Sequence, residues 1–319
     1  MNAIYAFFVW DEMRLRQLQL FSQAVDCGLN ISLTARRAHT SQPSVSRHLQ
    51  SLEKQIGTPI FVRSKRKISG LTSTGREVLD YAKRVLHDID TIGELGKNSE
   101  ASQQGSITIA ASHTYARYAL PDVIRTFMAR YPKVRLVLRQ GDPQQIMTWA
   151  SNGDADLAIC AEAEDRPKDL VFFSCNQHER IILAPRNHPL AKVRKPTLHQ
   201  LSQYSLITYD AKFAIYRRIL EVFEAKGLSP NIVLTATDVD VMKTYVRSGL
   251  GIAVVASLAY SKAEDTTLVA ISANHLFEPV DIKIGLRKGA FLRSFVYDFI
   301  EIFAPALRRE KIQLALAAK

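Results

Sequence analysis

The stretch Thr40-Ser41-Gln42-Pro43-Ser44-Val45-Ser46-Arg47-His48-Leu49-Gln50-Ser51-Leu52-Glu53 has the pattern of one helix with a marked beginning. Thr40 or Ser41 can cap it, and Pro43 falls in the first turn, where a missing N–H is tolerated. Its apolar residues recur at helical spacing and predict one buried stripe: Val45, Leu49, Leu52 and Ile56. The polar residues near its start lie mostly off that stripe. The pattern therefore predicts a helix that is held by its apolar face and presents its N-terminal end to a hydrogen-bonding partner.

The segments before and after this helix place it in a helix-turn-helix unit. Residues 14–27 form an amphipathic pattern that Gly28 ends, and a shorter helix, capped by Asn30 or Ser32, runs to about residue 38. Gly57 then ends the third helix. Three helices with this spacing predict a helix-turn-helix core, in which the third helix contacts the edges of DNA bases.

A two-stranded wing is expected after the third helix. Residues 59–63 predict a strand, residues 68–71 predict a return strand, and Ser64-Lys65-Arg66-Lys67 forms a basic tip between them. A cationic tip suits insertion beside a phosphate backbone or into a minor groove. Residues 13–71 are therefore expected to form a winged helix-turn-helix domain.

The net charge of +11 is unevenly distributed along the 319 residues. Residues 13–71 hold ten Lys and Arg against two acids, and residues 72–100 hold four basic residues against six acidic ones. A compact basic unit followed by a mildly acidic segment favours a polyanionic partner for the first segment only. On charge alone, an ordinary solvated surface explains the basic segment as well as a polyanion-binding surface does.

The cysteines and the N-terminal segment constrain the compartment. Cys27, Cys160 and Cys175 are far apart and match neither a metal site nor a disulfide framework, which fits a reducing cytoplasm. Residues 1–12 are apolar but too short to span a bilayer, and they show no basic start and no small-residue cleavage site. They are interpreted as an N-terminal extension, with no membrane partner and no bound metal expected.

A long helix is predicted for residues 72–98. Its apolar residues recur at spacings of three and four: Val78, Tyr81, Ala82, Val85, Ile89, Ile92 and Leu95. Such a stripe favours pairing with the same helix of a second copy, and packing onto the same chain is the alternative. Residues 99–105 are polar and are interpreted as a hinge.

From residue 106 onward, short apolar strands alternate with amphipathic helices, which predicts an α/β fold. Strands at 107–111, 134–140 and 157–160 and helices at 118–131 and 143–151 predict a parallel sheet with helices on both faces. Further strands are expected at 180–184, 205–208, 232–235, 251–255 and 282–286, and further helices at 213–226, 238–248 and 291–307.

Repetition of this unit predicts two α/β lobes in residues 106–310, with a ligand bound between them at the carboxyl ends of the strands. Lobe I is expected to span about 106–175 and 280–310, and lobe II about 176–279. Residues 311–319 are expected to be a tail.

Three segments carry a resemblance to a known family: Ser41-Gln42-Pro43-x-x-Ser46-Arg47 with Leu52-Glu53, then Ile60-Phe61-Val62-Arg63, then Leu71-Thr72-x-x-Gly75. Together they resemble the LysR-type transcriptional regulators. The C-terminal half is similar to the CysB and Cbl subfamily, which regulates sulfur-assimilation genes, in four segments: 113–121, 235–247, 283–287 and 297–300. The resemblance covers residues 13 to about 307. It implies a periplasmic-binding-protein-like effector domain.

The resemblance implies a set of DNA contacts in the N-terminal unit. Gln42, Pro43, Ser46 and Arg47 would meet major-groove edges, since Gln pairs with adenine and Arg with guanine. For Gln42 and Ser46 the alternative is helix capping and exposure to solvent. The other basic residues would contact phosphates or the minor groove. The full expected set is Arg36, Arg37, Ser41, Gln42, Pro43, Ser44, Ser46, Arg47, Arg63, Lys65, Arg66 and Lys67.

The resemblance also implies an effector cleft at Ser112–Tyr115, where hydroxyls and helix N–H groups suit an anion. Plain helix capping is the alternative there, and for Asp238 the roles of ligand contact and helix cap stay equally open. The expected ligand contacts are Ser112, His113, Thr114, Tyr115, Ala161, Thr208, Asp210, Ala214 and Asp238.

The chain departs from the subfamily pattern in this cleft. Tyr115 stands where members carry Gln, and Ala161 stands where they carry Thr. A Gly-rich Thr-Phe-Gly-Phe-Thr-Gly run is replaced by Asp210-Ala211-Lys212-Phe213-Ala214-Ile215. Because a site that loses hydrogen-bond partners rejects its former ligand, an effector other than O-acetylserine or N-acetylserine is expected. A sulfur-containing metabolite or an anion such as sulfate remains a candidate, and no other cofactor is expected.

The resemblance implies a ligand-responsive regulator that binds a pseudo-palindromic site on double-stranded DNA as a homodimer or homotetramer, with RNA polymerase as a further candidate partner. A periplasmic-type solute-binding protein is the alternative, which the basic N-terminal unit and the missing signal peptide oppose. The third hypothesis is an enzyme with an α/β fold. No Gly-rich phosphate loop, nucleophile elbow or paired metal ligands appear in the sequence, so no catalytic residue is assigned.

Overall fold

The computed structural model describes residues 13–64, 67–95, 104–161 and 167–317. The chain divides into two compact units, residues 1–97 and 98–319. The predicted N-terminal extension, the wing-tip residues Lys65 and Arg66, and most of the predicted hinge lie outside the described residues. The predicted fold class, a helix-turn-helix unit followed by a two-lobed α/β domain, is confirmed.

The N-terminal unit is a winged helix-turn-helix with a long final helix. Its elements are α1 (Leu15–Asp26), α2 (Ile31–Arg37), α3 (Gln42–Ile56), β1 (Phe61–Ser64), β2 (Lys67–Leu71) and α4 (Ser73–Leu95). The strands β1 and β2 pair in antiparallel fashion. The first three helices pack around a core that includes the fully buried Phe21, Val45, Leu52 and Ile60.

The ends of α2 and α3 follow from local chemistry. The side chain of Ser41 accepts the backbone N–H of Ser44 at 3.3 Å, so Ser41 and not Thr40 caps α3. Asn30 does the same for α2 through the N–H of Leu33 at 3.0 Å. Gly57 ends α3 in the left-handed conformation, with φ of 73°, which glycine adopts without steric cost.

Helix α4 has two apolar faces with different surroundings. Ala82 is buried against the helix-turn-helix core, and Val78 is partly buried there. On another face Tyr81 is 66% exposed and Ile92 is 65% exposed, with Val85 and Ile89 exposed between them. The apolar residues that the sequence placed in one stripe therefore lie on two faces: one packs onto the same chain, as in the alternative, and the other faces solvent and stays available to a second copy. The side chain of Leu95 lies outside the described residues.

The C-terminal unit contains two five-stranded sheets. The first sheet is built from β3 (Gly105–Ala111), β4 (Val134–Gln140), β5 (Leu157–Ala161), β6 (Leu170–His178) and β12 (Val280–Arg287), in the order β4-β3-β5-β12-β6. The second is built from β7 (Arg180–Pro185), β8 (Ser205–Tyr209), β9 (Asn231–Ala236), β10 (Ile252–Ala256) and β11 (Leu268–Ser272), in the order β11-β7-β10-β8-β9. Each sheet contributes to a separate hydrophobic core, which defines two lobes.

The helices of the C-terminal unit cover these sheets. They are α5 (His113–Tyr118), α6 (Pro121–Arg130), α7 (Pro143–Ser151), α8 (Leu198–Leu201), α9 (Ala214–Glu224), α10 (Val239–Arg247), α11 (Ser294–Phe303) and α12 (Arg309–Ala317). No helix among the described residues is long and apolar enough to cross a bilayer.

Three predictions for this unit need correction. The expected parallel sheet is mixed: β4, β3 and β5 run parallel, but β12 returns from the second lobe antiparallel to β5. The helix expected at 118–131 starts later, at Pro121, and Tyr118 is instead the last residue of the separate helix α5, because the chain turns at 119–120. Residues 311–317 are not a tail: they lie in α12, which buries Ile312 and Leu316, four residues apart, against the core of the first lobe.

Candidate functional site

The N-terminal half of α3 presents polar side chains to solvent. Gln42 and Arg47 are exposed, and Ser44 and Ser46 are half-buried, while Val45 between them is buried in the core. A helix anchored in this way can enter a major groove with its first two turns. The amphipathic layout that the sequence predicted for this helix is confirmed.

Glu53, near the C-terminal end of α3, links this helix to the wing. One carboxylate oxygen accepts the backbone N–H groups of Ile60 and Phe61 at 3.0 and 3.1 Å, and the other pairs with Arg63 at 2.5 Å. Burial raises the pKa of Glu53, but the hydrogen bonds from Arg63 and the two N–H groups outweigh it and lower the pKa below its usual value. The carboxylate therefore stays ionised and fixes the start of β1 relative to α3.

The other expected DNA contacts have varied surroundings. Arg36 and Arg37 are exposed at the end of α2, and Lys67 is exposed at the start of β2. Ser41 caps α3, and Pro43 occupies the first turn of that helix. Arg63 has a partner inside the domain, Glu53, which the sequence did not indicate. Arg63 can contact DNA only at the expense of its ion pair with Glu53, which links the wing to α3.

A cavity of about 500 Å³ lies between the two lobes of the C-terminal unit. The first lobe contributes the end of β3, the start of α5 and the end of β5 to its wall. The second lobe contributes the start of β7, the end of β8, the first turns of α9 and the segment that leads into β12. A cavity of this size matches the range of small-molecule sites in proteins.

Hydroxyl groups from both lobes meet at the cavity wall. Thr114 Oγ1 lies 3.0 Å from Tyr209 Oη, in a hydrogen bond that joins α5 of the first lobe to β8 of the second. Burial raises the pKa of Tyr209 to about 12 and raises the pKa of Tyr115 further above its usual value. Both phenols are therefore neutral at physiological pH and can donate a hydrogen bond to a ligand.

Arg180 is the first residue of β7, and its side chain reaches the same cavity wall. Its Nε is buried and has no hydrogen-bond partner among the described residues. Burial lowers the pKa of this guanidinium, partly offset by Tyr115 and Tyr209 nearby. Arginine has so high a reference pKa that the group still carries its charge.

The acidic side chains of the cavity wall have other partners. Arg218 pairs with Glu278 at 3.0 Å and with Glu221 at 3.4 Å. Asp281 accepts a hydrogen bond from Ser174 at 2.6 Å and lies 3.5 Å from Lys283. These acids are therefore engaged away from Arg180.

A second connection between the lobes lies beside the cavity. Tyr118, at the end of α5, donates a hydrogen bond to Asp240 at 2.6 Å and accepts one from Lys243 at 3.0 Å, both on α10 of the second lobe. Lys243 is only 2% exposed and also pairs with the buried Asp265 at 2.8 Å. Burial lowers the pKa of Lys243, but the bonds to Asp265 and Tyr118 outweigh burial and raise it. This network fixes α5 against the second lobe.

Five of the expected ligand contacts lie in the cavity wall: Ser112, Thr114, Tyr115, Ala161 and Ala214. Four others do not lie in that wall: His113, Thr208, Asp210 and Asp238. Direct ligand contact by these four stays a prediction that the cavity wall does not support. The Asp238 side chain accepts the N–H of Asp240 at the start of α10, and the Asp210 side chain accepts the N–H of Lys212. Thr208 is fully buried, and His113 is the half-buried first residue of α5.

Sequence reasoning missed Arg180 and Tyr209, which supply the charge and one hydroxyl of the cavity. Neither belongs to a recognisable motif, and both are brought to the site by the folding of the second lobe. For Tyr209 the available signal was positional, because it directly follows the predicted strand 205–208 and ligands bind at the carboxyl ends of strands. Arg180 starts a predicted strand, a position that carries no such signal. Among the described residues, no group of three or more His, Cys, Asp or Glu side chains is arranged to hold a metal ion.

Comparison with known proteins follows the same division of the chain. Residues 15–76 match the family model described as "Bacterial regulatory helix-turn-helix protein, lysR family", and residues 100–308 match the "LysR substrate binding domain". The family resemblance stated from the sequence is thereby confirmed.

Two curated relatives span nearly the whole chain. The HTH-type transcriptional regulator SsuR of Burkholderia cenocepacia is 42% identical over 94% of this chain and 97% of its own length. The HTH-type transcriptional regulator CysB of the same organism is 41% identical over 95% of this chain and 97% of its own length. Among solved structures, the cofactor-binding domain of the Cbl transcriptional regulator is 38% identical and covers 67% of this chain and 95% of its own, with a TM-score of 0.64.

Proposed function

Since the chain belongs to the LysR family of bacterial transcriptional regulators and binds DNA, we propose that it controls genes of sulfur metabolism in response to a small polar or anionic effector. The effector binds in the cavity between the lobes. The observation that carries the proposal is this cavity, whose wall combines hydroxyls from both lobes with the half-buried Arg180. Similarity to SsuR, CysB and Cbl supports the choice of gene class.

The mechanism couples the cavity to DNA through the relation between the lobes. A ligand that contacts both walls stabilises one arrangement of the lobes over others. In a symmetric oligomer, that arrangement sets the spacing of the recognition helices and hence the geometry of the bound DNA. Ser112, Thr114, Tyr115, Ala161 and Ala214 are the proposed ligand contacts.

The proposed assembly is a homodimer through α4, extended to a homotetramer, acting in the cytoplasm on a pseudo-palindromic site and on RNA polymerase. The exposed apolar face of α4 supports the dimer. The proposal includes no catalytic activity. The relatives are transcriptional regulators, which favours a regulator over an enzyme or a solute-binding protein.

A chromatin-binding map of the protein in its host tests the proposed gene class. Peaks upstream of genes for uptake or assimilation of sulfur compounds are expected, and they should change when the sulfur source changes. A map with no peaks near such genes would refute the sulfur assignment. A matched strain with Arg47→Ala, in which the major-groove contact is weakened, serves as control and should lose the specific peaks.

A further inference from the structure

Arg180 differs from the other charged groups at the cavity between the lobes in having no ion-pair partner among the described residues. No described carboxylate lies within ion-pair distance of its guanidinium, and its Nε is buried without a hydrogen bond. The acids of the same wall are already engaged, Glu221 and Glu278 by Arg218 and Asp281 by Ser174 and Lys283. Arg180 is half-buried, and a partly desolvated cation without an anionic partner is costly, so a bound anion would reduce that cost.

Two neutral donors accompany this charge. Tyr115 and Tyr209 both line the cavity and both interact electrostatically with the Arg180 guanidinium. Tyr209 is held in place by its hydrogen bond to Thr114. Because a guanidinium offers a planar fork of N–H donors, it suits a carboxylate or a sulfonate better than a neutral group.

The size and lining of the cavity indicate what else the ligand contains. A volume of about 500 Å³ exceeds what an inorganic anion occupies and matches a small organic molecule. Beside its charged and hydroxyl groups, the second lobe contributes four apolar side chains to the wall: Phe213, Ile215, Ala256 and Phe277. An apolar ligand body would bury this surface.

We propose that Arg180 is the anion-binding residue of the cavity and that the effector is an organic monoanion, a sulfonate or carboxylate with a short apolar body. This inference rests on the proposed function of the cavity as an effector site. It assigns the charge recognition to β7 of the second lobe, whereas the hydroxyls of Ser112–Tyr115 in the first lobe contribute neutral contacts.

The test is a calorimetric titration of the full-length protein with four probes: 1-butanesulfonate, pentanoate, 1-pentanol and inorganic sulfate. The two organic anions are expected to bind more tightly than sulfate, and the alcohol is expected to bind weakest. Arg180→Gln should weaken binding of the organic anions roughly tenfold or more, since it removes a charged hydrogen-bond donor. The preference between the sulfonate and the carboxylate identifies which anion class the site selects.

Two further variants control for folding and for charge. Arg186→Gln makes the same change at an exposed arginine beyond the other end of β7 and should leave the affinities unchanged. Arg180→Lys keeps the charge without the fork and should recover part of the affinity. Without ligand, Arg180→Gln should unfold at the same or a higher temperature than the unmodified protein, because it removes a half-buried charge that has no carboxylate partner among the described residues.

Three results would overturn the inference: no binding of either organic anion, affinities that Arg180→Gln does not change, or binding of 1-pentanol as tight as that of the anions. A separate measurement tests the proposed function: a parallel titration with the DNA upstream of the protein's gene. If the protein does not bind this DNA specifically, the proposed function is refuted. A neutral effector that binds the cavity and alters DNA affinity would contradict the inference and leave the proposed function intact.

Discussion

Lys212 Nζ lies 2.8 Å from Asp142 Oδ2 and joins the two lobes of the C-terminal unit beside the cavity. Asp142 is 7% exposed and caps α7 of the first lobe, where its other oxygen accepts the N–H of Gln145 at 2.9 Å. Lys212 lies in the loop before α9 of the second lobe. Lys212 and Asp142 thus form an ion pair across the cleft.

Replacement of Lys212 by Met should lower the thermal stability of the C-terminal unit in a pH-dependent way. Burial raises the pKa of Asp142, but the hydrogen bonds from Lys212 and the N–H of Gln145 outweigh it and lower the pKa. The stabilisation is therefore present above the unfolded pKa of about 3.9 and is lost as the pH falls through the lower, folded value.

Thermal unfolding from pH 3 to pH 7 checks this expectation. The Lys212→Met protein should melt below the unmodified protein at pH 7, and the two melting temperatures should converge toward pH 3. Lys226→Met, at an exposed position after α9, is the control and should show no such trend. A difference that persists unchanged at pH 3 would mean that the ion pair is not its cause.

Gly75 marks a close contact between α4 and the wing. A Cβ at this position would lie 2.0 Å from the backbone oxygen of Ile60, and backbone cannot give way as a flexible side chain would. Gly75→Ala should therefore destabilise the N-terminal unit by about 1–3 kcal/mol. Gly93→Ala, on the same helix with nothing within 4 Å, should instead stabilise it by roughly 0.5–1 kcal/mol. Denaturant unfolding of the two variants would contradict this account if both changed stability in the same direction.

Two variants of the N-terminal unit separate base contacts from phosphate contacts. Gln42→Ala should weaken the free energy of binding to the operator DNA by about 1–3 kcal/mol, because it removes a contact to a base edge. Its effect on binding to unrelated DNA should be small. Arg37→Ala should weaken both complexes and reduce the slope of log K against log salt by about 1. Fluorescence anisotropy at several salt concentrations measures both effects. Equal losses on both DNAs for Gln42→Ala would argue against base recognition by this residue.

The exposed face of α4 predicts an oligomer that a single charge can weaken. Ile92→Lys places a cation on the exposed apolar face of α4, near the C-terminal end of the helix, and should raise the dissociation constant of the dimer roughly tenfold or more, since burial of an Ile side chain contributes about 1.5–3 kcal/mol. Leu314→Lys, at a position 75% exposed on α12, is the control and should not change it. Sedimentation equilibrium measures the constant. A dimer unaffected by Ile92→Lys would exclude this face as the interface.

Local chemistry made the N-terminal unit predictable. The helix spacing of Val45, Leu49 and Leu52, the cap at Ser41 and the left-handed Gly57 are each visible in the sequence and confirmed in the structure. The role of Glu53 was not visible, because its partners are the backbone N–H groups of a strand that only the folded domain brings close.

The C-terminal unit was predictable in its strands and less so in its connections. The strand β6 was missed because Leu170–His178 changes from an apolar first half to a polar second half. Helix α12 was missed because only Ile312 and Leu316 are buried in an otherwise polar and small-residue segment. In the cavity, Ser112, Thr114 and Tyr115 follow a predicted strand, whereas Arg180 reaches the wall only through the pairing of β7 with β10 and β11.

The most direct test of the central claim is a titration of DNA from upstream of the protein's own gene, against random DNA of equal length and at several salt concentrations. For a LysR-type regulator we expect roughly a thousandfold or greater preference for the upstream DNA and a linear fall of log K with log salt. We also expect the affinity for the upstream DNA to change when an organic anion occupies the cavity. Equal affinity for both DNAs, unchanged by any anion that binds the protein, would contradict the account.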